Sequence, residues 1–578
     1  MAGTCVGGEG ELTVLDAATK FEYQWKKSSC GCPNVDADTD SLMNEFTSWS
    51  EAFKICTSPD HSGPEAFNAG VKAACDFCHM LCGHFALPST ESALSCQADE
   101  QACSWSRQYA GRFLTICKNV ICRLLSCETT AVLSELLQRC APKLLYACFS
   151  HFDDDVPWST EAARDTAREL TNLLCRVCTP DGITGLLESS VGKCVLDGLQ
   201  RQLTSETWRD HPQSVDVLLW YAVLASPITL QTNLDVLMAL LLRLVDDGEA
   251  SLEVSVRGAD ALTRLVNSAS DAELKRYNRL SVLYDATKRH TYSHNGDLLA
   301  VILPLHATLC RAMGSCEEGS CARVVSSPVR IIVGSPRCPR MLGMNWNALD
   351  HYLSQLLSCV AGETSSELRT IYLENILSVV SGMGLQVVRH SQRILRFLPS
   401  HLGHQEGVGE NCRFMTLAIM RVLVHSAWPR FGEPVQLVKA LLTLCFHASC
   451  RIPHRAITSA DFTDDPPAAW LKFCSDFKLS ERRAEAVSLL SAVALSKHGK
   501  KQQKLNCYLL LGAVECLMLL AQCSASTTTL LSSLLKDPLH FGLSRCVEMA
   551  LDCSKECGPL CVPSGNIISP SNTNGSSC

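Results

Sequence analysis

Residues 252–286 read LEVSVRGADALTRLVNSASDAELKRYNRLSVLYDA, from Leu252 to Ala286. Leu252, Val256, Ala259, Leu262 and Val266 recur at three- and four-residue steps, which sets them on one helical stripe that has to be buried against a neighbour. That helix ends near Asn267. Ser270 then stands three residues before Glu273, the spacing at which a hydroxyl and a carboxylate satisfy each other's free backbone donors at a helix start. A second helix is expected over Ala272 to Arg289, so the stretch is a helical hairpin.

Working outward, the same rhythm runs through most of the chain. Helices are expected over Glu161–Val177, Gly185–Leu203, Pro212–Ala225, Asn233–Asp246, Leu252–Asn267, Ala272–Arg289 and Gly296–Ala312. After residue 200 the starts fall about twenty residues apart, so a helix pair repeats near forty, the period of HEAT and armadillo arrays. Further helices are expected over Trp346–Val360, Ser366–Gly382, Leu385–Phe397, Asn411–Ala427, Pro434–Phe446, Glu481–Ser496, Leu505–Cys523 and Phe541–Cys553. The organisation expected is a loose N-terminal arm (1–40), a helical N-terminal region (41–155), HEAT-like repeats (156–313), a long loop (314–345), further repeats (346–556) and a disordered tail (557–578). Within the second region, Pro88 and the polar stretch Ser95–Gln101 are expected to interrupt the helices. The fold class is all-α, an α-solenoid of HEAT/armadillo-like repeats.

Composition agrees. A chain of 578 residues exceeds one ordinary core but suits an array that adds core repeat by repeat. Hydrophobic residues make up 47% and aromatics only 6%, with Leu, Val and Ala dominant, which favours helices over sheets. The 51 Lys and Arg against 59 Asp and Glu give a net charge of -8, and no dense basic face stands out to neutralise phosphates, so nucleic acid is not an expected partner. Lys497, Lys500, Lys501 and Lys504 form the nearest basic run and read as solvated loop.

The 34 cysteines are about 6% of the chain, below the density of disulfide scaffolds. The N-terminus runs Met1-Ala2-Gly3-Thr4-Cys5 without the basic start and apolar core of a secretory signal. Cys175, Cys445, Cys516 and Cys523 sit in Leu-rich helical patterns as small hydrophobes, and a reduced intracellular compartment is expected. The apolar stretch Cys507–Cys523 carries Glu515 and Gln522 and reads as a buried helix rather than a membrane span.

Chemistry-bearing motifs are sparse. Walker, nucleophile-elbow and HExxH patterns are absent from the sequence. Asp153, Asp154 and Asp155, just before Pro157 and Trp158, read as a cap at the positive end of the next helix. Cys75, Cys78, His79 and Cys82, with His84 beyond, form the most metal-like constellation, because thiolates two residues apart plus another soft ligand can close a zinc tetrahedron. The second ligand pair is missing from the nearby sequence, where Cys96 and Cys103 lack the spacing, and core cysteines on one helical face explain the pattern; neither metal nor cofactor is expected. Cys175 and Cys178 have redox-pair spacing but lie at a helix end, away from the dipole that lowers a thiol pKa. His425 near Ser426, and His401 with His404, lack an orienting group, and no catalytic residue is expected.

The remaining phrases carry a resemblance. Pro157-Trp158 with Ala163-Arg164 and Leu173-Leu174; Thr207-Trp208; Lys275-Arg276-Tyr277-Asn278-Arg279 with Val282-Leu283-Tyr284; His425-Ser426-Ala427-Trp428-Pro429-Arg430 with the following Leu437–Leu442; and Glu515–Leu520 resemble, in order, the Tel-two-interacting protein two family. The resemblance covers roughly Val156–Cys310 and Asn411–Ser524. It implies a non-catalytic helical-repeat scaffold of the Triple T complex, bound to a larger HEAT-repeat subunit and the Tel-two protein. In that setting it would help heat-shock chaperones and their AAA+ cochaperone mature phosphatidylinositol 3-kinase-related kinases for DNA-damage and growth signalling, in cytoplasm and nucleus, without nucleic acid or membrane. Trp158, Trp208, Tyr277, Asn278, Arg279, Trp428, Pro429 and Arg430 are the candidate partner-contact residues, with inter-repeat packing as their other role. Tyr277 and Tyr284, seven residues apart, are expected on one inward-packing helical face. A transport-type cargo adaptor and a zinc-stabilised interaction module are the alternatives.

Overall fold

The computed structural model describes residues 96–125, 140–154, 156–178, 181–247, 250–314, 346–403, 410–428, 434–450, 468–474, 500–536 and 541–557, together with Cys75, Cys78, His79 and Cys82. The arm (1–40), the loop beyond Gly314, the tail beyond Cys557, the Glu481–Ser496 helix, Asp155, His404, Pro429 and Arg430 lie outside the described residues. Among those described, every regular element is a helix.

The chain divides into two compact units, Met1–Tyr277 and Asn278–Cys578. The first contains α1 (Cys96–Leu125), α2 (Ala141–Phe149), α3 (Glu161–Cys178), α4 (Gly182–Glu188), α5 (Ser190–Gln202), α6 (Pro212–Leu224), α7 (Pro227–Thr232), α8 (Leu234–Asp246), α9 (Leu252–Ser268) and α10 (Asp271–Lys275). The second contains α11 (Arg279–His290), α12 (Gly296–Gly314), α13 (Ala348–Gly362), α14 (Ser366–Met383), α15 (Ser391–Gly403), α16 (Asn411–Ala427), α17 (Val435–Cys450), α18 (Ala468–Cys474), α19 (Lys500–Cys523), α20 (Ala525–Leu534) and α21 (Phe541–Cys557).

Both units are built of HEAT/armadillo-like helical repeats. Sequence neighbours pack as pairs, α8 with α9 in the first unit and α11 with α12 and α13 with α14 in the second. The period is written in the polar contacts between repeats. In the first unit Trp208 Nε1 donates to Asp247, Ser226 to Glu188, Gln231 to the Ser268 carbonyl, Arg243 to the Leu203 carbonyl and Arg257 to Asp216, at separations of 37 to 41 residues. In the second, Arg389 and His390 both reach Asp350, and Arg393 reaches Ser354, at 39 or 40 residues. The repeat near forty expected from helix spacing is therefore also the register at which side chains bridge neighbouring repeats.

Within 252–286 the first helix and the capped start of the next form, with two differences from the expectation. On α9 the buried stripe is Ser255, Gly258, Ala259, Ala261, Leu262, Leu265 and Val266, while Leu252 is 43% exposed. Small residues occupy the stripe because α8 lies close: a Cβ on Gly258 would stand 3.1 Å from Leu244 Cβ. The Ser270–Glu273 capping box is present, but the helix it starts stops at Lys275. Tyr277 and Asn278 take left-handed φ values of 55° and 61°, and α11 begins afresh at Arg279. Tyr277 is thereby off the helix and 80% exposed, whereas Tyr284 is half-buried against His306, so the shared inward face does not form.

Other differences have local causes. The stretch expected as one helix over 185–203 is two, because Ser189 turns extended and caps α5 with its hydroxyl. The helix expected over 385–397 is a 3-10 turn at Gly384–His390 followed by α15, and α7, α18 and α20 are short helices not anticipated from the pattern. Conversely, α1 continues as one helix through the polar residues 96–101, and α12 runs through Pro304. Asp153 and Asp154 do not cap α3, whose start is capped by Thr160 accepting from Ala163 N; Asp153 pairs with Arg257 at 2.7 Å and Asp154 with Arg164 at 3.1 Å.

By length and composition Gly296–Gly314, Ser366–Leu402 and Leu505–Cys523 are apolar enough to cross a bilayer. The last is 94% buried inside its unit, so packing against α16, α17 and α21 accounts for its apolarity, as expected for Cys507–Cys523.

Candidate functional site

The candidate contact residues fall into two groups. Trp158 is buried and its indole N–H donates to the Ser150 carbonyl at 2.8 Å, tying the turn before α3 to the end of α2. Trp208 is buried, bonded to Asp247 at 3.2 Å, with the Arg209 guanidinium 5.7 Å above its ring and bridging to the same carboxylate. Trp428 caps the end of α16 and packs half-buried against the core of the second unit. Arg279 is also buried. Of these four, Trp208 bridges neighbouring repeats, and the others are turned wholly or partly into the protein.

Tyr277 and Asn278 are different. Both are exposed and stand in a strained turn, and the chain passes from one unit to the other between them. Left-handed φ costs a bulky L-residue roughly 1–2 kcal/mol, whereas Asn tolerates it better. Tyr277 holds that conformation with its side chain 80% exposed, and strained residues cluster at functional turns. Sequence periodicity placed Tyr277 inside a helix and so missed this; the signal available was only the Tyr-Asn pair.

The metal-like cysteines sit in a helix, and Cys75, Cys78 and Cys82 are all buried. Cys78 and Cys82 have Cys117 of α1 as a thiol neighbour, and Cys140, at the start of α2, has Cys75 and Cys78. Those neighbours draw the Cys117 pKa down, to about 5. As they stand, no three His, Cys, Asp or Glu side chains among the described residues are placed to share one ion. Cys175 is buried and its thiol pKa raised by that burial.

The histidines singled out in the sequence are dispersed. His401 is buried with its ring 4.1 Å from Phe397, and His425 is half-buried near the end of α16. Of the lysine run, Lys500, Lys501 and Lys504 lie in the first turns of α19.

Residues 196–404 match the sequence profile of the Tti2 family. The Tti2 match runs from within α5 to the end of α15, so it contains the Trp208–Asp247 bridge, the Tyr277 turn and the Asp350 cluster. Over 297 residues the chain is 27% identical to TELO2-interacting protein 2 of Homo sapiens, covering 50% of this chain and 54% of that one. It is 26% identical over 299 residues to TELO2-interacting protein 2 of Mus musculus, with the same coverage. The match thus spans about half the length of these curated relatives. Among solved structures, a chain of the Kap95:Nup1 complex aligns at 12% identity with a TM-score of 0.39, covering 89% of this chain and 57% of that one.

Proposed function

We propose that this chain is a non-catalytic adaptor: a Triple T-type subunit that binds the Tel-two protein and a larger HEAT-repeat subunit. With heat-shock chaperones and their AAA+ cochaperone, it supports the maturation of phosphatidylinositol 3-kinase-related kinases, in cytoplasm and nucleus, and so DNA-damage and growth signalling. The observation that carries the reading is the Tti2 family match over residues 196–404, supported by relatives named for interaction with TELO2. Stacked helices offer a long surface, and affinity there comes from buried anchors rather than from a reaction. Among the described candidate contacts, Tyr277 and Asn278 are the exposed ones.

The test is co-purification of the tagged full chain from its own cells, wild type beside Tyr277→Ala. Because Tyr277 is 80% exposed, the variant should keep the wild-type circular dichroism and melting temperature. Recovery of a much larger helical-repeat protein with chaperone components is expected, falling at least fivefold in the variant. Recovery of neither from wild-type cells would overturn the adaptor reading; equal recovery in both would remove Tyr277 as anchor.

A further inference from the structure

We propose that the outer ridge formed by α11, α13 and α15 of the second unit, with the 3-10 turn before α15, is a docking surface for an acidic amphipathic segment of a partner polypeptide. Side-chain bonds join the ridge from helix to helix. Gln355 of α13 donates to Thr291 Oγ1 at the end of α11 at 2.6 Å, and Arg393 of α15 donates to Ser354 and Ser358 of α13. Arg389, in the turn Gly384–His390, reaches Asp350 of α13 at 2.7 Å.

The charge of this ridge runs against that of the chain. The whole sequence has a net charge of -8, yet Lys288, Arg289, Arg389, Arg393 and Arg396 are all exposed here, and Asp285 is the one exposed acid among the described residues of these elements. Sequence reading finds no dense basic run because the ridge draws its cations from separate helices. Elsewhere in the second unit cations meet acids: Arg413 pairs with Glu410, Arg421 with Glu515, Lys472 with Glu374 and Arg545 with Glu548. On the ridge the Arg393 guanidinium meets serine hydroxyls and the Lys288 ammonium lies 5.6 Å over the Tyr284 ring. Among the described residues no carboxylate pairs with Lys288, Arg393 or Arg396.

The apolar side chains of the ridge say which kind of anion fits. Val282 and Tyr292 at the two ends of α11 and Leu385 in the turn are 45%, 56% and 49% exposed. A phosphate backbone calls for dense cations and has nothing to offer these side chains, and Asp285 would repel it. An acidic polypeptide segment with apolar or aromatic residues between its carboxylates matches both features: its charges pair with the arginines while its apolar groups cover Tyr292 and Leu385. This surface goes beyond the Triple T reading and needs neither chaperone nor kinase to be tested, so either can fail alone.

The experiment is fluorescence-anisotropy binding of the full chain to a labelled helical peptide of Glu, Leu, Phe and Ala, beside the same peptide with Gln for Glu. Saturable binding of the acidic peptide is expected, weakening as salt is raised, with the Gln peptide bound at least tenfold less tightly. Arg393→Glu with Arg396→Glu should weaken binding about tenfold, and Lys288→Glu by a smaller factor. Lys439→Glu, the same charge change at an exposed position on α17, should leave it within about twofold. Circular dichroism checks each fold; if the double Glu variant does not fold, Arg396→Gln with Lys288→Gln takes its place. No binding of the acidic peptide, equal binding of the Gln peptide, or equal loss in Lys439→Glu and the ridge variants would overturn the surface. So would tighter binding, through the same arginines, of single-stranded DNA or of vesicles containing phosphatidylserine, which would make it a phosphate-binding face.

Discussion

Asp350 should be a costly buried charge to remove from the second unit. Its side chain is fully buried at the third position of α13, where it closes a capping box: Asn347 Oδ1 accepts from Asp350 N at 2.8 Å and Asp350 Oδ2 accepts from Asn347 N at 3.0 Å. One repeat later in sequence, Arg389 Nη1 donates to Oδ2 at 2.7 Å and His390 Nε2 to Oδ1 at 2.8 Å, with the Trp346 ring tilted against that of His390, centroids 5.1 Å apart. Burial alone would raise this carboxyl's pKa. The His390 bond, the Asn347 amide and the Arg389 charge outweigh it and hold the pKa below the ordinary carboxylate value. Asp350→Ala leaves a buried His390 and a one-third-exposed Arg389 without their acceptor and opens the cap. Breaking a buried pair costs about 3–5 kcal/mol and losing a cap about 1; with water reaching part of Arg389, a total near 4 kcal/mol is expected. Arg389→Ala should cost only about 1 kcal/mol, because Asp350 keeps two partners.

Urea unfolding at pH 7 measures the difference, with hydrogen exchange in α13 and α15 locating it, since a chain of two compact units is not bound to a single transition. At a slope of roughly 2 kcal/mol per molar urea, Asp350→Ala should lower the midpoint of the second unit by about 2 M. The sign with pH follows from the lowered pKa: the stabilisation is complete above the ordinary carboxylate range and disappears as pH falls through the folded value. An Asp350→Ala loss no larger than that of Arg389→Ala would refute the reasoning.

Two further outcomes are expected. His151 and His306 are buried with pKa values depressed to about 4, by burial in both and by Lys288 as well for His306. Both must stay neutral, so each contributes its full stability above pH 6.5 and loses it as pH falls towards 4, about 2 kcal/mol apiece by pH 5. His306→Phe should flatten the acid limb of a melting-temperature profile for the second unit, and His151→Phe that of the first; unchanged slopes would contradict this. Gly192→Ala should destabilise the first unit by at least 2 kcal/mol despite alanine's helix preference of about 1, because the new Cβ would overlap the backbone of Leu187 where α4 turns into α5. A thermal melt in which the alanine variant is as stable as wild type would show that this turn yields.

What sequence alone determined is the periodic part. Apolar steps of three and four residues require helices that bury a stripe, and their starts fix a period near forty, because both are local consequences of 3.6 residues per turn. Family-like phrases at Trp208, Tyr277 and Trp428 were legible for the same reason: they are contiguous in the chain. Their roles were not. Whether an aromatic packs or faces solvent depends on where the helix containing it breaks, and two left-handed residues at 277 and 278 put Tyr277 outside while Trp208 found Asp247 a repeat away. The buried stripe of α9 shifted because α8 approaches closely enough to demand Gly258 and Ala259. Likewise Asp153 looked like a cap until Arg257, about a hundred residues on, claimed it. Local spacing reports only what lies within a few turns, and these partners are joined by packing between helices that no single segment records.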